Sequence, residues 1–295
     1  MILALLIALA AEPTVDPPGF TDRLAEASWD RAVSLRRAGR HKEAATAFET
    51  LAAERPYSRR AVQALAAAGT LYRWELNDTS RAKQLWVQAL AGPSDVPGSD
   101  GALNELLALA RDESGVDGEL SVIRDLAVRR THASYAPRLW VKAATILLEE
   151  LKKPGPALDA AKSAVIVAEG TTWWDDAAFL AGRCHLELGQ YDEALDHFRR
   201  IIATHEITLI GGDENSDLLD DAYFYAAKTL EKAGRMKDAE KAYYEVADER
   251  KRSPYVDDAL QKAHDLAMAR KDPIAAGKYL DLLIRLRPAS RYLLR

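Results

Sequence analysis

Three oxygen-bearing side chains stand at alternate positions in the C-terminal half of the sequence, as the ligands of a calcium-binding loop do. They are Asp213, Asn215 and Asp217. Such a loop needs a glycine where Leu218 stands and a glutamate at its twelfth position, which this sequence lacks. The pattern therefore favours a helix N-cap, in which Asn215, Ser216 or Asp217 accepts hydrogen bonds from the first backbone amides of the next helix.

The other reactive residue types are scattered along the chain. The six histidines include no His-x-x-x-His pair, the spacing that places two metal ligands on one helix face. The single cysteine, Cys184, lies in an apolar helical stretch, where a thiol is a small buried hydrophobe. Gly211-Gly212 is not followed by the Lys-Ser/Thr of a phosphate loop, and no Gly-x-Ser-x-Gly motif occurs. The sequence predicts no enzymatic activity, no metal site and no cofactor.

The charge balance argues against nucleic-acid binding. The 295 residues include 45 acidic and 40 basic side chains, a formal net charge of −5. A nucleic-acid-binding protein needs a basic excess to neutralise phosphates. Basic clusters such as Arg129-Arg130 lie near predicted helix ends, where they complement the negative end of the helix dipole. We therefore expect protein partners and no nucleic acid.

The first ten residues, MILALLIALA, are apolar and end in Ala8-Leu9-Ala10, a small-x-small pattern that signal peptidase recognises. As a helix they would span about 15 Å, roughly half the bilayer core, so no stable transmembrane anchor is predicted. Residues 11–21 follow as a tether, because Pro17-Pro18-Gly19 opposes a helix. We interpret residues 1–10 as a signal peptide, although no Lys or Arg precedes the apolar run. The alternatives are an uncleaved hydrophobic N-terminus and a misplaced start codon.

An alanine followed four residues later by a bulky ring recurs along the rest of the chain. We call the first member of each pair an anchor, and successive anchors are 38, 38, 37, 37, 45 and 37 residues apart. Near-constant spacing predicts stacked repeats, and the longest interval predicts an inserted loop near 206–217. The clear pairs are Ala44/Phe48, Ala82/Trp86, Ala194/Phe198 and Ala239/Tyr243; the weaker pairs are Ala157/Ala161, Ala276/Leu280 and Leu120/Arg124.

Other residues keep a fixed distance from the anchors. A small residue lies twelve before several of them, as Ala32, Gly182 and Ala227, and lets two helices approach closely. Pro56 and Pro288 lie twelve after their anchors and stop a helix. A glycine five residues before an anchor favours the left-handed conformation that ends a helix. These glycines are Gly39, Gly115, Gly189 and Gly234.

Residues 178–198, AFLAGRCHLELGQYDEALDHF, resemble a tetratricopeptide repeat. Residues 221–243 and 28–56 resemble it nearly as well, and the units together cover about 22–288. The resemblance implies an all-α solenoid, a right-handed superhelix of about seven helix–turn–helix repeats, each burying the apolar face of its neighbour. The third unit lacks both the alanine and the ring and is expected to be irregular. The residues that carry the resemblance in 178–198 are Gly182, Gly189, Tyr191, Glu193, Ala194 and Phe198.

In this family the first helix of each hairpin lines an inner groove. Aromatic rings would supply contact area there and charges would set the register of a bound peptide or helix. Packing between helices is the alternative role for the same rings. Arg183 and Lys228, one repeat apart, predict a positive site for a partner carboxylate. The groove residues that the resemblance implies are Trp29, Arg36, Trp74, Lys142, Phe179, Arg183, Phe224 and Lys228.

These features predict a non-enzymatic scaffold or adaptor of the bacterial periplasm or cell envelope that binds a partner protein or peptide. A cytoplasmic regulatory or sensor module is the alternative. Within the insertion, the apolar stretch 207–210 either contacts a partner or fills the gap between units. Residues 289–295 follow the last repeat as a cap on it or as a tail that engages a neighbour.

Overall fold

The computed structural model describes residues 22–56, 58–208 and 217–293, and these residues form helices and no strand. The predicted all-α class is confirmed. A π-helical turn, Ile146–Glu150, continues α6, and a 3-10 turn, Arg291–Leu293, follows the last helix. The helices are α1 (Arg23–Arg37), α2 (His41–Glu54), α3 (Arg59–Trp74), α4 (Thr79–Ala91), α5 (Ser99–Arg129), α6 (Ala136–Thr145), α7 (Pro154–Val167), α8 (Trp174–Glu187), α9 (Tyr191–Thr208), α10 (Asp217–Lys232), α11 (Met236–Glu249), α12 (Val256–Ala269) and α13 (Pro273–Leu286).

Consecutive helices pair as hairpins. Within α5, Ser114 and Gly115 leave the helical region, so this element counts as two helices and forms the irregular third hairpin. The described residues thus contain seven hairpins, which we number 1 to 7: α1/α2, α3/α4, the two halves of α5, α6/α7, α8/α9, α10/α11 and α12/α13.

The residue five before each anchor has a positive φ, between 53° and 75°, in all seven hairpins. Glycine adopts this left-handed conformation without the clash that a Cβ causes. The sequence pattern predicted a positive φ only at the glycines. In three of the hairpins an asparagine or a lysine has the positive φ instead. The seven turn residues are Gly39, Asn77, Gly115, Lys152, Gly189, Gly234 and Lys271.

The alanine–ring pairs form the contact between the two helices of a hairpin. A Cβ at Gly182 would lie 2.8 Å from a ring carbon of Phe198, and a Cβ at Gly69 would lie 2.5 Å from Nε1 of Trp86. These glycines therefore leave the space that the rings occupy. The rings of the four clear pairs are at most 1% exposed; they are Phe48, Trp86, Phe198 and Tyr243.

The described residues form two compact units, divided between residues 139 and 140, within the region 22–288 that the sequence predicted as repeats. The division falls inside α6. In the first unit the cores of hairpins 1 and 2 merge around Phe48, Ala64 and Leu71. In the second unit, hairpins 5 and 6 share one buried cluster and hairpins 6 and 7 share another.

Ion pairs join the end of the second helix to the start of the first within several hairpins. Arg250 donates to Asp220 at 2.6 Å, and Arg287 lies 3.2 Å from Asp257. Both acids stand in the first turn of their helix, where they also complement the positive end of the helix dipole. Each pair therefore closes its hairpin at the end opposite the turn.

Several predicted segments lie outside the described residues: the signal peptide (1–10), the tether (11–21), and 209–216 of the insertion with Asp213, Asn215 and Ser216. The helix α9 continues through Thr208, and α10 begins at Asp217. At the other end, Tyr292 and Leu293 pack against the buried cluster of hairpins 6 and 7. No helix in the described part of the chain combines the length and apolar character that a bilayer span requires.

Candidate partner-binding grooves

In the first unit, the first helices of hairpins 1 to 3 border an open groove of about 700 Å³. Small residues line part of it, among them Ala66, Ala67 and Ala108. Arg60, Gln63, Asn104 and Glu105 also line it and supply polar groups. The groove therefore offers both apolar surface and hydrogen-bonding groups to a bound chain segment.

Trp29 borders this groove and is half-buried. Its ring packs against Phe48 with 5.0 Å between centroids, and the Arg60 guanidinium lies 4.9 Å from the ring centre. Arg60 is held in turn by two hydrogen bonds to Glu26, of 2.7 and 2.6 Å. Trp29 thus combines the two roles that the sequence left open, because it packs against the hairpin core and also lines the groove.

Trp74 is 61% exposed at the end of α3. Its Nε1 donates to Glu105 at 3.4 Å, and the Arg73 guanidinium lies 5.4 Å from its ring centre. Arg73 also donates to Asp112 at 3.2 Å. An exposed ring held by such contacts loses little side-chain entropy when a partner covers it. Arg36 is exposed in the last turn of α1.

Phe179 and Phe224 pack between helices of the second unit. Phe179 is 7% exposed and contacts Phe198 and Tyr225 at centroid distances of 5.6 and 5.2 Å. Phe224 is half-buried and stacks on Tyr255 of the next hairpin at 4.6 Å. These two rings therefore have the packing role.

Arg183 and Lys228 converge on the ring of Tyr225. The guanidinium carbon of Arg183 lies 5.8 Å from the ring centre, and the ammonium nitrogen of Lys228 lies 5.0 Å from it. Both cations are attracted by the electron-rich face of the ring. We call Arg183, Tyr225 and Lys228 the Tyr225 cluster. Lys142, the remaining predicted cation, is exposed on α6.

The two cations of the Tyr225 cluster differ in their partners. Arg183 donates to Glu149 at 2.7 Å. Burial by itself would lower the pKa of Arg183, but the hydrogen bond to Glu149 and the nearby Tyr225 raise it above its usual value. Lys228 makes no ion pair with any residue that the structure describes. The cluster therefore presents an ammonium group that is available to a carboxylate.

The other groups considered for chemistry are buried or dispersed. Cys184 is buried, and burial raises the pKa of its thiol to about 12. Burial and the neighbouring His185, whose ring lies 5.5 Å away, lower the pKa of His197. Within the described part of the chain, no three His, Cys, Asp or Glu side chains form a group that could hold a metal ion.

Sequence reasoning missed Tyr225 and chose its neighbour Phe224. The spacing held a usable signal, because Tyr225 and Lys228 stand three apart and so lie on the same side of α10. A second signal was the 34-residue separation of Glu149 and Arg183, close to one repeat. Arg60 and Glu26, also 34 residues apart, join the first helices of hairpins 1 and 2 in the same way.

Comparison with known proteins identifies the repeat. Two family models described as tetratricopeptide repeat match residues 176–205 and 4–59. No curated protein sequence matches the chain.

Solved structures extend this likeness over most of the chain. The C-terminal part of a TPR repeat-containing protein from Cytophaga hutchinsonii is 13% identical, with 90% of this chain and 98% of that chain covered and a TM-score of 0.55. PilW, a widely conserved type IV pilus biogenesis factor, is 16% identical, with 93% and 98% covered and a TM-score of 0.43. PilF of Pseudomonas aeruginosa is 15% identical, with 91% and 94% covered and a TM-score of 0.40. At such identities the likeness concerns the fold alone.

Proposed function

Because this chain is a tetratricopeptide repeat protein with an all-α solenoid fold, we propose that it is a non-enzymatic scaffold that binds a partner protein or peptide along its first helices. The observation that carries the proposal is the Tyr225 cluster. There an aromatic ring, a paired arginine and an available lysine stand together on two successive first helices. A partner carboxylate would gain a charge-assisted hydrogen bond from Lys228 and apolar contact with the ring.

The groove of the first unit supports the same function through surface area. Trp29 and Trp74 provide large aromatic contacts, which are enriched among the residues that dominate binding energy. The arginines stacked on these rings keep them in place before a partner arrives. The protein would thus use rings for affinity and charges for register.

The compartment we propose is the bacterial periplasm or cell envelope. The support is the sequence of residues 1–10, a short apolar leader with small residues at positions 8 and 10.

Photo-crosslinking followed by titration tests the binding function. A photo-reactive residue at position 232, which is exposed on α10 one turn after Lys228, is expected to yield a discrete adduct in cells, from which the partner is identified. The purified partner should then bind the Lys228→Glu protein about tenfold more weakly, because the ammonium becomes a carboxylate. Lys237→Glu is the matched control, since its side chain is exposed on α11, makes no ion pair with any described residue and lies outside the cluster. Equal affinity of the Lys228→Glu and wild-type proteins would remove the Tyr225 cluster from the binding site.

Arg183 is unsuited to the same charge reversal. A glutamate at position 183 would face Glu149, now 2.7 Å from the guanidinium, and would replace an attraction with a repulsion. Loss of binding by that variant would not separate a lost partner contact from a weakened junction between hairpins 4 and 5. Lys228, which has no such ion pair among the described residues, gives the cleaner readout.

A further inference from the structure

Two imidazole rings stack between the two helices of hairpin 5. His185 lies near the end of α8 and His197 lies in α9; their ring centroids are 5.5 Å apart and their planes are inclined by 22°. His185 is 6% exposed and His197 is half-buried. The helices approach closely here, because a Cβ at Gly182 would lie 3.2 Å from the Cβ of His197. The two rings are therefore part of the contact that closes the hairpin.

The turn of the hairpin fixes the position of His185. Its Nδ1 lies 2.6 Å from Oε1 of Gln190, and the backbone amide of Gln190 donates to the carbonyl oxygen of His185 at 2.9 Å. Because an amide oxygen accepts, Nδ1 of His185 carries the proton that forms this bond. A second proton would have to be added at Nε2. The bond to Gln190 is therefore compatible with both charge states of the ring, and it is the stacking that a second proton opposes.

The groups around His197 oppose a positive charge on its ring. Burial lowers the pKa of His197, and so do His185, Arg200 and Lys162 of α7. Asp196, the neighbouring residue on α9, acts in the opposite direction. The net effect lowers the pKa of His197 below its ordinary value. The closed hairpin therefore binds a proton at this ring less readily than an open or unfolded chain does.

The carboxylates of hairpin 5 respond to pH differently. Glu187 of α8 and Glu193 of α9 are exposed. Asp176, in the first turn of α8, is half-buried, and burial and the adjacent Asp175 raise its pKa. A raised carboxyl pKa makes the folded state take up a proton more readily, so the titration of Asp176 stabilises the hairpin as the pH falls. A loss of stability in acid has the sign expected of His197, which is opposite to that of Asp176.

Acid weakens the contact between α8 and α9. Near pH 7.5 an imidazole is mostly neutral, and two neutral rings stack without repulsion. As the pH falls, the stability that depends on a neutral His197 is lost from about pH 6.5, the ordinary pKa of histidine, down to the lowered pKa of the folded state. Two imidazolium rings 5.5 Å apart would also repel each other, and the cations Lys162 and Arg200 add to the positive charge.

We propose that the stacked rings of His185 and His197 form an acid-sensitive contact, which holds α8 against α9 near neutral pH and lets hairpin 5 open at about pH 5.5. The device is built into the fold and needs no bound partner. Arg183 lies two residues before His185 on α8, so opening would also move one cation of the Tyr225 cluster. Only this consequence for binding rests on the proposed function.

Cys184 reports the opening of the hairpin. It is fully buried beside His185 and is the single cysteine of the chain, so a thiol reagent labels it only when α8 separates from its neighbours. The rate of labelling by dithiodipyridine is measured from about pH 7.5 to about pH 5.5 and divided by the rate of the urea-unfolded chain at the same pH, which cancels the titration of the thiol. The normalised rate of the wild-type protein should rise about three- to tenfold over this range.

His197→Gln removes a titratable ring and should reduce the rise to less than about twofold. His132→Gln is the matched control, because His132 is exposed and lies outside hairpin 5, and its rate should rise as that of the wild type does. A wild-type rate that does not depend on pH, or an equal rise in the His197→Gln protein, would overturn the proposal.

A titration followed by nuclear magnetic resonance gives a readout that needs no variant. The ring signals of His197 in the wild-type protein should titrate below about pH 6.5, the ordinary pKa of histidine, because the closed hairpin disfavours the charged ring. Titration at or above that pH would overturn the proposal, even if the His197→Gln protein already opens at neutral pH because it packs poorly.

Discussion

Lys152 and Lys271 adopt the left-handed backbone conformation that glycine adopts in four of the seven hairpins. Their φ angles are 53° and 63°, and both side chains are exposed at the turn between two helices. A Cβ in this conformation costs roughly 1 kcal/mol through its contact with the following carbonyl oxygen. The seven turns thus share a residue with a positive φ but differ in local strain.

Replacing Lys271 with glycine is expected to stabilise the protein by about 0.5 kcal/mol. Relief of the backbone strain outweighs the greater flexibility of glycine in the unfolded chain. The reverse change, Gly189→Lys, should cost about 1 kcal/mol, because Gly189 has a φ of 73° and a Cβ there would meet only the Tyr191 hydroxyl, at 4.0 Å. Urea unfolding measures both variants. A destabilising Lys271→Gly would show that the lysine side chain contributes more than the strain costs.

At the same scale, sequence reasoning found the buried alanine–ring pairs and missed Tyr225. An alanine and a ring four apart lie on one side of a helix whatever the rotation of that helix, so the pattern alone predicts their contact. Phe224 and Tyr225 are adjacent and point about 100° apart. Which of the two rings contacts Arg183 and Lys228 depends on the rotation of α10, and the stacking of Phe224 on Tyr255 fixes that rotation.

At the scale of the element, the length of the turn explains why the repeat pattern did not predict the close contact between Gly69 and Trp86. Gly182 stands twelve residues before its anchor Ala194, but Gly69 stands thirteen before Ala82. In hairpin 5 the turn closes with a hydrogen bond from Gln190 to His185, whereas in hairpin 2 the bond runs from Asp78 to Tyr72. One more residue in the turn therefore shifts the glycine by one position without changing the helix contact.

Gly69→Ala is expected to destabilise the protein by about 1–3 kcal/mol, although alanine is the better helix former by about 1 kcal/mol. The added Cβ would lie 2.5 Å from the Trp86 indole, which is fully buried and donates to the carbonyl of Ala66 at 3.3 Å. The indole has little room to move. Gly277→Ala in α13 is the control, because a Cβ there meets nothing within 4 Å, and it should stabilise the protein. Thermal unfolding of both variants makes the comparison; equal shifts would contradict the steric account.

At the scale of the whole molecule, the anchor spacing predicted the number of hairpins but not the division into two compact units. The anchors on either side of the division, Leu120 and Ala157, are 37 residues apart, the same spacing as two of the three intervals inside the second unit. Spacing reports how long each hairpin is. It does not indicate how much surface neighbouring hairpins bury against each other, because that area depends on side-chain packing at each junction.

Whether residues 1–10 direct export decides in which compartment the whole molecule functions. If residues 1–10 direct export, protein produced with its own N-terminus should begin at Ala11 in the mature form, because signal peptidase cleaves after a small residue preceded by another at position −3. Intact-mass measurement of the periplasmic fraction checks this. Ala10→Arg should leave the precursor uncleaved, whereas Ala4→Leu preserves the apolar run and should be processed as the wild type is. An intact Met1 in the wild-type protein would instead favour the cytoplasmic alternative, since an uncleaved segment of about 15 Å is too short to span the bilayer core.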